Sequence, residues 1–235
     1  MKLLDRSHKS IRIKLCEFEC LDAAYEACSL GVDALGFHIF KHQNVEKKIT
    51  KFQEIFGYLP QTVDKVLLTD VAFSVLCDVI LPKLRMDTIQ LYPDWPVDQI
   101  RLLRQQAPDS LKILKVMSAC PEENFSPDDG VFLRTYEPVV DGILLDSHRV
   151  GGTGKVGDWK HCGEIVKRTL LPVFLAGGLN AENVLDAIRI VRPFGVDVES
   201  GVSDRIPGGP LVKNMEKCRS FVAAVRNAER TLGLC

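Results

Sequence analysis

The sequence predicts a single (β/α)8 barrel, and three observations predict it. Short apolar runs recur along the chain, helical patterns separate them, and eight such pairs fill the 235 residues almost completely. A closed barrel of parallel strands typically takes about 250 residues. The runs are Ile11–Cys16, Ala34–Ile39, Lys65–Thr69, Thr88–Leu91, Lys112–Val116, Gly142–Leu145, Val173–Ala176 and Gly195–Val198. They are mostly apolar rather than alternating, as strands covered on both faces should be. Leu21–Leu30, Val97–Gln106, Trp159–Arg168 and Ala181–Val191 are amphipathic stretches between them. The last has Asn180 as its expected N-cap and Pro193 beyond its end, and Lys213–Glu229 reads as a closing helix. Pro121–Pro138, rich in Pro, Asp and Glu, reads as a loop with only a turn of helix where the fifth helix belongs. A doubly wound open sheet is the competing arrangement. No linker divides the chain, so residues 1–10 are expected as a polar leader and 11–235 as one barrel domain.

Composition narrows the function. Charged residues make up 26% of the chain and hydrophobic ones 46%, ordinary globular usage that excludes disordered and fibrous classes. The net charge of −1 supplies no general field for nucleic acid or an anionic membrane. No apolar run reaches the roughly 18 residues of a membrane span, and Met1–Ser10 lacks the apolar core of a secretory signal. The eight cysteines lie in otherwise hydrophobic segments and read as reduced thiols of a cytoplasmic protein. No CxxC pair exists, and Cys16 and Cys20 have no second ligand pair at finger spacing, so a zinc site is not expected.

Chemistry in a barrel sits where strands end and βα loops begin. Cys16 ends the first run and Asp146 follows the sixth. A thiol and a carboxyl facing one mouth can serve as base and acid if their surroundings tune them. Taken singly, Cys16 also reads as a small core residue, and Asp146 as a helix cap or turn acceptor. The glycines say more. Gly151-Gly152-Thr153-Gly154, Ala176-Gly177-Gly178 and Ser200-Gly201-Val202 follow the sixth, seventh and eighth runs. Barrels bind phosphate with backbone N–H groups of these last loops, and glycine lets the backbone approach the oxygens. Gly152, Gly177, Gly178, Ser200 and Gly201 are therefore the expected phosphate cradle.

These residues carry a family resemblance. Lys14-Leu15-Cys16, Asp33-Ala34-Leu35-Gly36-Phe37, Leu144-Leu145-Asp146, the three glycine loops, Leu179-Asn180, Asn183-Val184 and Val196-Asp197-Val198 resemble phosphoribosylanthranilate isomerase. The resemblance runs in order from about Ile11 to Ala228 and is densest in the last third. It implies a (β/α)8 barrel of tryptophan biosynthesis without cofactor or metal. It also implies that Cys16 is the general base, that Asp146 is the general acid, and that the glycine loops hold the ribose phosphate. The implied Amadori rearrangement opens an aldosylamine ring by protonating the furanose oxygen. A base then removes the C2 proton. Asp146 must be protonated to act first, and Cys16 must lose its proton, which Lys14 encourages if it points inward beside the thiol.

The chain departs from the family on the aromatic side. The second βα loop, Phe40-Lys41-His42-Gln43-Asn44-Val45-Glu46-Lys47-Lys48, puts Val45 where the family has an arginine for the anthranilate carboxylate. Lys41, Lys47 and Lys48 are the replacement cations at hand. The usual Gln-Leu-His-Gly after the fourth strand is Gln90-Leu91-Tyr92-Pro93, with Gln90 a substrate-side candidate, and the usual glycine after Cys16 is Glu17. The reading is an isomerase acting on a small phosphorylated substrate as a monomer or homodimer. The alternatives are a different phosphoribosylamine, or a barrel that binds a phosphorylated ligand without catalysis.

Overall fold

The computed structural model describes residues 2–7, 10–118, 129–146, 158–206, 209 and 211–234. Eight parallel strands close into a barrel in sequence order: β1 (Arg12–Leu15), β2 (Ala34–Ile39), β3 (Asp64–Thr69), β4 (Thr88–Leu91), β5 (Lys112–Ser118), β6 (Gly142–Asp146), β7 (Val173–Ala176) and β8 (Gly195–Val198). Closure sets β1 beside both β2 and β8, with Lys14 level with Ala34 on one side and Asp197 on the other. The helices between strands are α1 (Leu21–Cys28), α2 (Val45–Tyr58), a π-helical segment (Val75–Ile80), α3 (Val97–Gln106), α4 (Asp129–Tyr136), α5 (Trp159–Arg168) and α6 (Val184–Val191); α7 (Met215–Leu232) closes the chain. Beyond β8 lie a 3-10 turn (Ser200–Val202) and a small antiparallel ribbon, β9 (Ser203–Arg205) with β10 (Leu211–Lys213).

Successive strand residues point to opposite faces, so each strand feeds two cores. Ile13, Leu15, Leu35, Phe37, Leu67, Ile143 and Val196 face outward into the helix layer. Cys16, Ala34, Val66, Leu68, Leu114, Leu144, Phe174 and Ala176 face inward and fill the barrel. This inward phase decides which side chains reach the mouth.

The floor is tied by one repeated device. The aspartate just before β2, β4 and β6 accepts the N–H of the second residue of the strand before it. Asp33 takes Ile13 at 2.8 Å, Asp87 takes Lys65 at 3.0 Å, and Asp141 takes Ile113 at 2.8 Å. The leader expected at residues 1–10 joins this floor. Leu3 is fully buried in the inner core and its N–H donates to Asp64 at 2.9 Å.

Four expected helices change limits, the first ending at Cys28 rather than Leu30 because the chain turns at Ser29. Residues 129–136 form two turns of helix where a loop with one turn was expected, because Phe132, Leu133 and Tyr136 bury one face. The sixth helix starts at Val184 rather than Ala181, because Asn180 accepts the Glu182 and Asn183 N–H groups in a separate turn. The closing helix is Met215–Leu232, since Asn214 caps it by accepting the Lys217 N–H and Gly233 ends it left-handed.

Candidate active site

Cys16 follows β1 directly, and Asp146 ends β6 across the barrel. Both are buried and line one cleft of about 430 Å³ with Tyr92, Leu144, Asp197 and Glu199. The strand ends thus bring together the two side chains expected to act as base and acid. Gly36 makes room for the thiol: a Cβ there would stand 2.7 Å from the Cys16 Sγ.

The other wall of the cleft is Ala176, Gly177, Gly178, Leu179 and Ser200. Gly177 and Gly178 take φ of 87° and 66°, left-handed values open to glycine at no steric cost. The two loops here press together so closely that a Cβ on Gly201 would lie 2.0 Å from the Leu179 carbonyl oxygen. Asn183 Nδ2 donates to the Gly178 carbonyl at 2.9 Å and holds that turn to the start of α6. Gly177, Gly178, Ser200 and Gly201 therefore gather at one side of the mouth; Gly152 lies outside the described residues.

Electrostatics around the thiol come from both sides. Lys14 is fully buried, shares the inward face with Cys16, and donates to Asp197 Oδ2 at 2.8 Å. Burial works against its ammonium, but Asp197 and Cys16 outweigh burial and raise its pKa. Burial pushes the Cys16 thiol well above its ordinary value, and Lys14 only partly opposes that. A thiolate promoted by Lys14 alone is thus not the resting state; the thiol is.

Sequence reasoning missed His38 and Glu199. His38 faces inward from β2, with Nε2 3.5 Å from Cys16 Sγ and 3.7 Å from Glu199 Oε2. Burial, then Lys14, Lys48 and Lys213, lower its pKa to about 3, so the imidazole is neutral near pH 7. Burial, then Glu17, lifts Glu199 to about 7. Lys213 of β10 reaches over this group, donating to the Glu199 carbonyl at 3.1 Å and Ser203 Oγ at 2.6 Å. The available signal was the inward phase: His38 lies two residues past Gly36, and Glu199 two past Asp197.

The aromatic side is arranged differently. Lys48 leaves α2 to pair with Glu19 and lies 5.3 Å from the Phe52 ring centroid, yet its charge is felt at His38. Lys41 is exposed, 3.8 Å from Asp70, and Lys47 lies exposed on α2. Val45 is the first residue of α2, whose cap is Asn44. Gln90 is fully buried on β4, its Nε2 donating to the Tyr92 hydroxyl at 3.2 Å. Gln90 Oε1, Ser118 Oγ, Asp197 Oδ1 and Glu17 Oε2 are buried without a hydrogen-bond partner among the described residues. Buried polar atoms in native proteins are nearly always paired, and of these four Asp197 lines the cleft; Asp64 Oδ1, Thr88 Oγ1 and Trp159 Nε1 share the same condition elsewhere.

Comparison with known proteins gives the family. Residues 13–224 match the family described as N-(5'-phosphoribosyl)anthranilate (PRA) isomerase. The chain is 34% identical over 201 residues to N-(5'-phosphoribosyl)anthranilate isomerase 2 of Methanosarcina mazei, covering 83% of this chain and 86% of that protein. It is 32% identical to isomerase 1 of the same organism over 240 residues, covering 97% and 100%. Among solved structures, phosphoribosyl anthranilate isomerase from Thermotoga maritima superposes with a TM-score of 0.75 at 27% identity, covering 92% of this chain and 99% of that one. A structure of such an isomerase in complex with reduced 1-(o-carboxyphenylamino)-1-deoxyribulose 5-phosphate gives 0.73 at 25% identity over the same shares. The chain belongs to the N-(5'-phosphoribosyl)anthranilate isomerase family.

Proposed function

We infer that this chain catalyses the Amadori rearrangement of N-(5'-phosphoribosyl)anthranilate to 1-(o-carboxyphenylamino)-1-deoxyribulose 5-phosphate in tryptophan biosynthesis. The observation that carries this reading is one cleft with Cys16 and Asp146 on its walls and the left-handed Gly177–Gly178 turn at its rim. The phosphate is held by backbone N–H groups around Gly178, Ser200 and Gly201. Asp146 protonates the furanose oxygen and the ring opens to a Schiff base. Cys16 then takes the C2 proton, and the imine accepts the electron pair, so one acid and one base suffice. Lys14 and Lys213 both favour the thiolate electrostatically, against the cost of its burial. On the aromatic side, Lys48, Lys41 and Lys47 supply the charge that faces the carboxylate, and Gln90 supports the ring pocket through Tyr92. A lysine is a point charge rather than a planar fork, so this grip is weaker than an arginine's.

The substrate is the only partner this chemistry needs, and a monomer or a homodimer serves it, in the cytoplasm where the phosphorylated substrate is made. The test is turnover of phosphoribosylanthranilate by purified protein, together with rescue of a tryptophan auxotroph lacking this isomerase. Turnover with an elevated KM is expected. No turnover at any concentration, with other phosphoribosylamines accepted, would assign a different aglycone; none accepted would leave a phosphate-binding barrel.

A further inference from the structure

We propose that Cys16, His38 and Glu199 form a binding site for one divalent ion of the zinc class, with a coordination position open toward the cleft. Cys16 follows β1, His38 lies on its neighbour β2 and Glu199 follows its other neighbour β8, and their ligand atoms all lie within 4.8 Å of one another. Zinc–sulfur bonds of about 2.3 Å and zinc–nitrogen bonds of about 2.0 Å at a tetrahedral angle put sulfur and nitrogen roughly 3.5 Å apart. The Cys16 Sγ to His38 Nε2 separation is 3.5 Å. The carboxylate stands slightly farther out, with Oε2 3.7 Å from the same nitrogen.

Which nitrogen the partners share decides between a metal site and a proton relay. In a catalytic relay the nucleophile and the carboxylate take opposite ring nitrogens, so that one accepts while the other donates. Here sulfur and carboxylate both face Nε2. A neutral Nε2 carries either a lone pair or a hydrogen, so in either tautomer one of the two contacts goes unmet. A cation at their meeting point satisfies all three. The thiol releases its proton to solvent on binding, and a thiolate with a carboxylate neutralises a divalent ion.

Three lysines act on His38 and oppose a cation there, and two of them are paired with carboxylates. Lys14 is paired with Asp197, Lys48 with Glu19, and Lys213 is held by Ser203 and the Glu199 backbone; Glu17 adds a further carboxyl beside Glu199. Spacing along the chain could not reveal the site, because its members lie on three separate strands. The site rests on geometry alone. Its effect on catalysis rests on the isomerase reading, since a metal-bound Cys16 sulfur cannot take the C2 proton.

Titration of the metal-free chain with Co²⁺ tests the site without substrate, and Zn²⁺ competition against a chromophoric chelator measures affinity. One equivalent should bind, with a sulfur-to-cobalt charge-transfer band and the intense visible absorption of a four-coordinate ion. His38→Ala and Glu199→Gln should each weaken Zn²⁺ binding by on the order of 100-fold or more, beyond the 10–100-fold that loss of a mere outer-shell partner costs. Absence of the sulfur band, or binding unchanged in Glu199→Gln, would overturn the proposal, the latter placing the ion on other thiols such as the exposed Cys20. Circular dichroism checks each variant's fold, and the near-isosteric Glu199→Gln decides if His38→Ala does not fold. With the isomerase active, one equivalent of Zn²⁺ should abolish turnover and EDTA restore it. If the chain turns over no phosphoribosylanthranilate, the function falls while the cobalt spectrum still judges the site.

Discussion

Replacing Glu17 by glycine should stabilise the chain, and the structure sets the size of the effect. Glu17 sits at φ 64°, in the left-handed region. An L side chain there costs about 1–2 kcal/mol. Glycine's extra freedom in the unfolded chain returns roughly 0.5–1 kcal/mol of that. The net gain is about 1 kcal/mol, which for a chain of this length raises Tm by about 2–4 °C. Charge adds a pH dependence. Glu17 is second only to burial in lifting Glu199 from its ordinary 4.5 to about 7. A carboxyl raised in the folded state favours folding while protonated, so its contribution is complete below pH 4.5 and lost as pH rises through about 7. Removing Glu17 lowers the folded pKa of Glu199 and shrinks that loss. Thermal unfolding of wild type and Glu17→Gly at pH 5 and pH 8 measures both effects. The variant should melt higher at both, with the larger gap at pH 8. A variant that melts lower than wild type at pH 8 would refute the reasoning, and would mean that attraction between Glu17 and Lys213 outweighs strain and repulsion.

Cys16→Ser and Asp146→Asn should each reduce kcat by about 10²–10⁴, the range of a lost general acid or base, with the melting temperature little changed. Gly201→Ala drives a methyl against the Leu179 carbonyl; it should cost about 1–3 kcal/mol in denaturant titrations and weaken inorganic phosphate binding. Asp87 pairs with Lys2 and accepts the Lys65 N–H, and those contacts outweigh burial to lower its pKa. Its stabilisation is present above the ordinary carboxyl range and fades as pH falls through the folded pKa. Asp87→Asn should therefore destabilise at pH 7, by about 1–3 kcal/mol in chemical unfolding, and much less at pH 2–3. Lys48→Ala should raise KM for phosphoribosylanthranilate about tenfold, the worth of one contact to a charged group, with kcat nearly held.

How much of this was legible follows from what each signal depends on. The strands were read nearly to the residue because burial on both faces leaves short apolar runs that polar turns delimit, a local property. Helix limits were read less well where a side chain cap chose among nearby polar residues. Asn180 and Asn183 are both good caps, and the Asn180 turn delays the helix by three residues. Leu3 sits in a polar segment and is buried only because the barrel floor is open to it. The site divides in the same way. Cys16, Asp146 and the glycine loops are strand-end features that the chain states one at a time. The Cys16–His38–Glu199 group exists only because closure sets β8 and β2 on either side of β1, and inter-strand register is written in no single segment. One step did lie within reach. Lys14 was expected to share a face with Cys16, and it does; carried along β2 and past β8, the same two-residue period turns His38 and Glu199 inward as well. Two inward residues on strands that flank the base should be counted as part of its environment before any pKa is argued from a single neighbour. Here burial opposes the thiolate more than Lys14 supports it, and Asp197 and Glu199 add to burial.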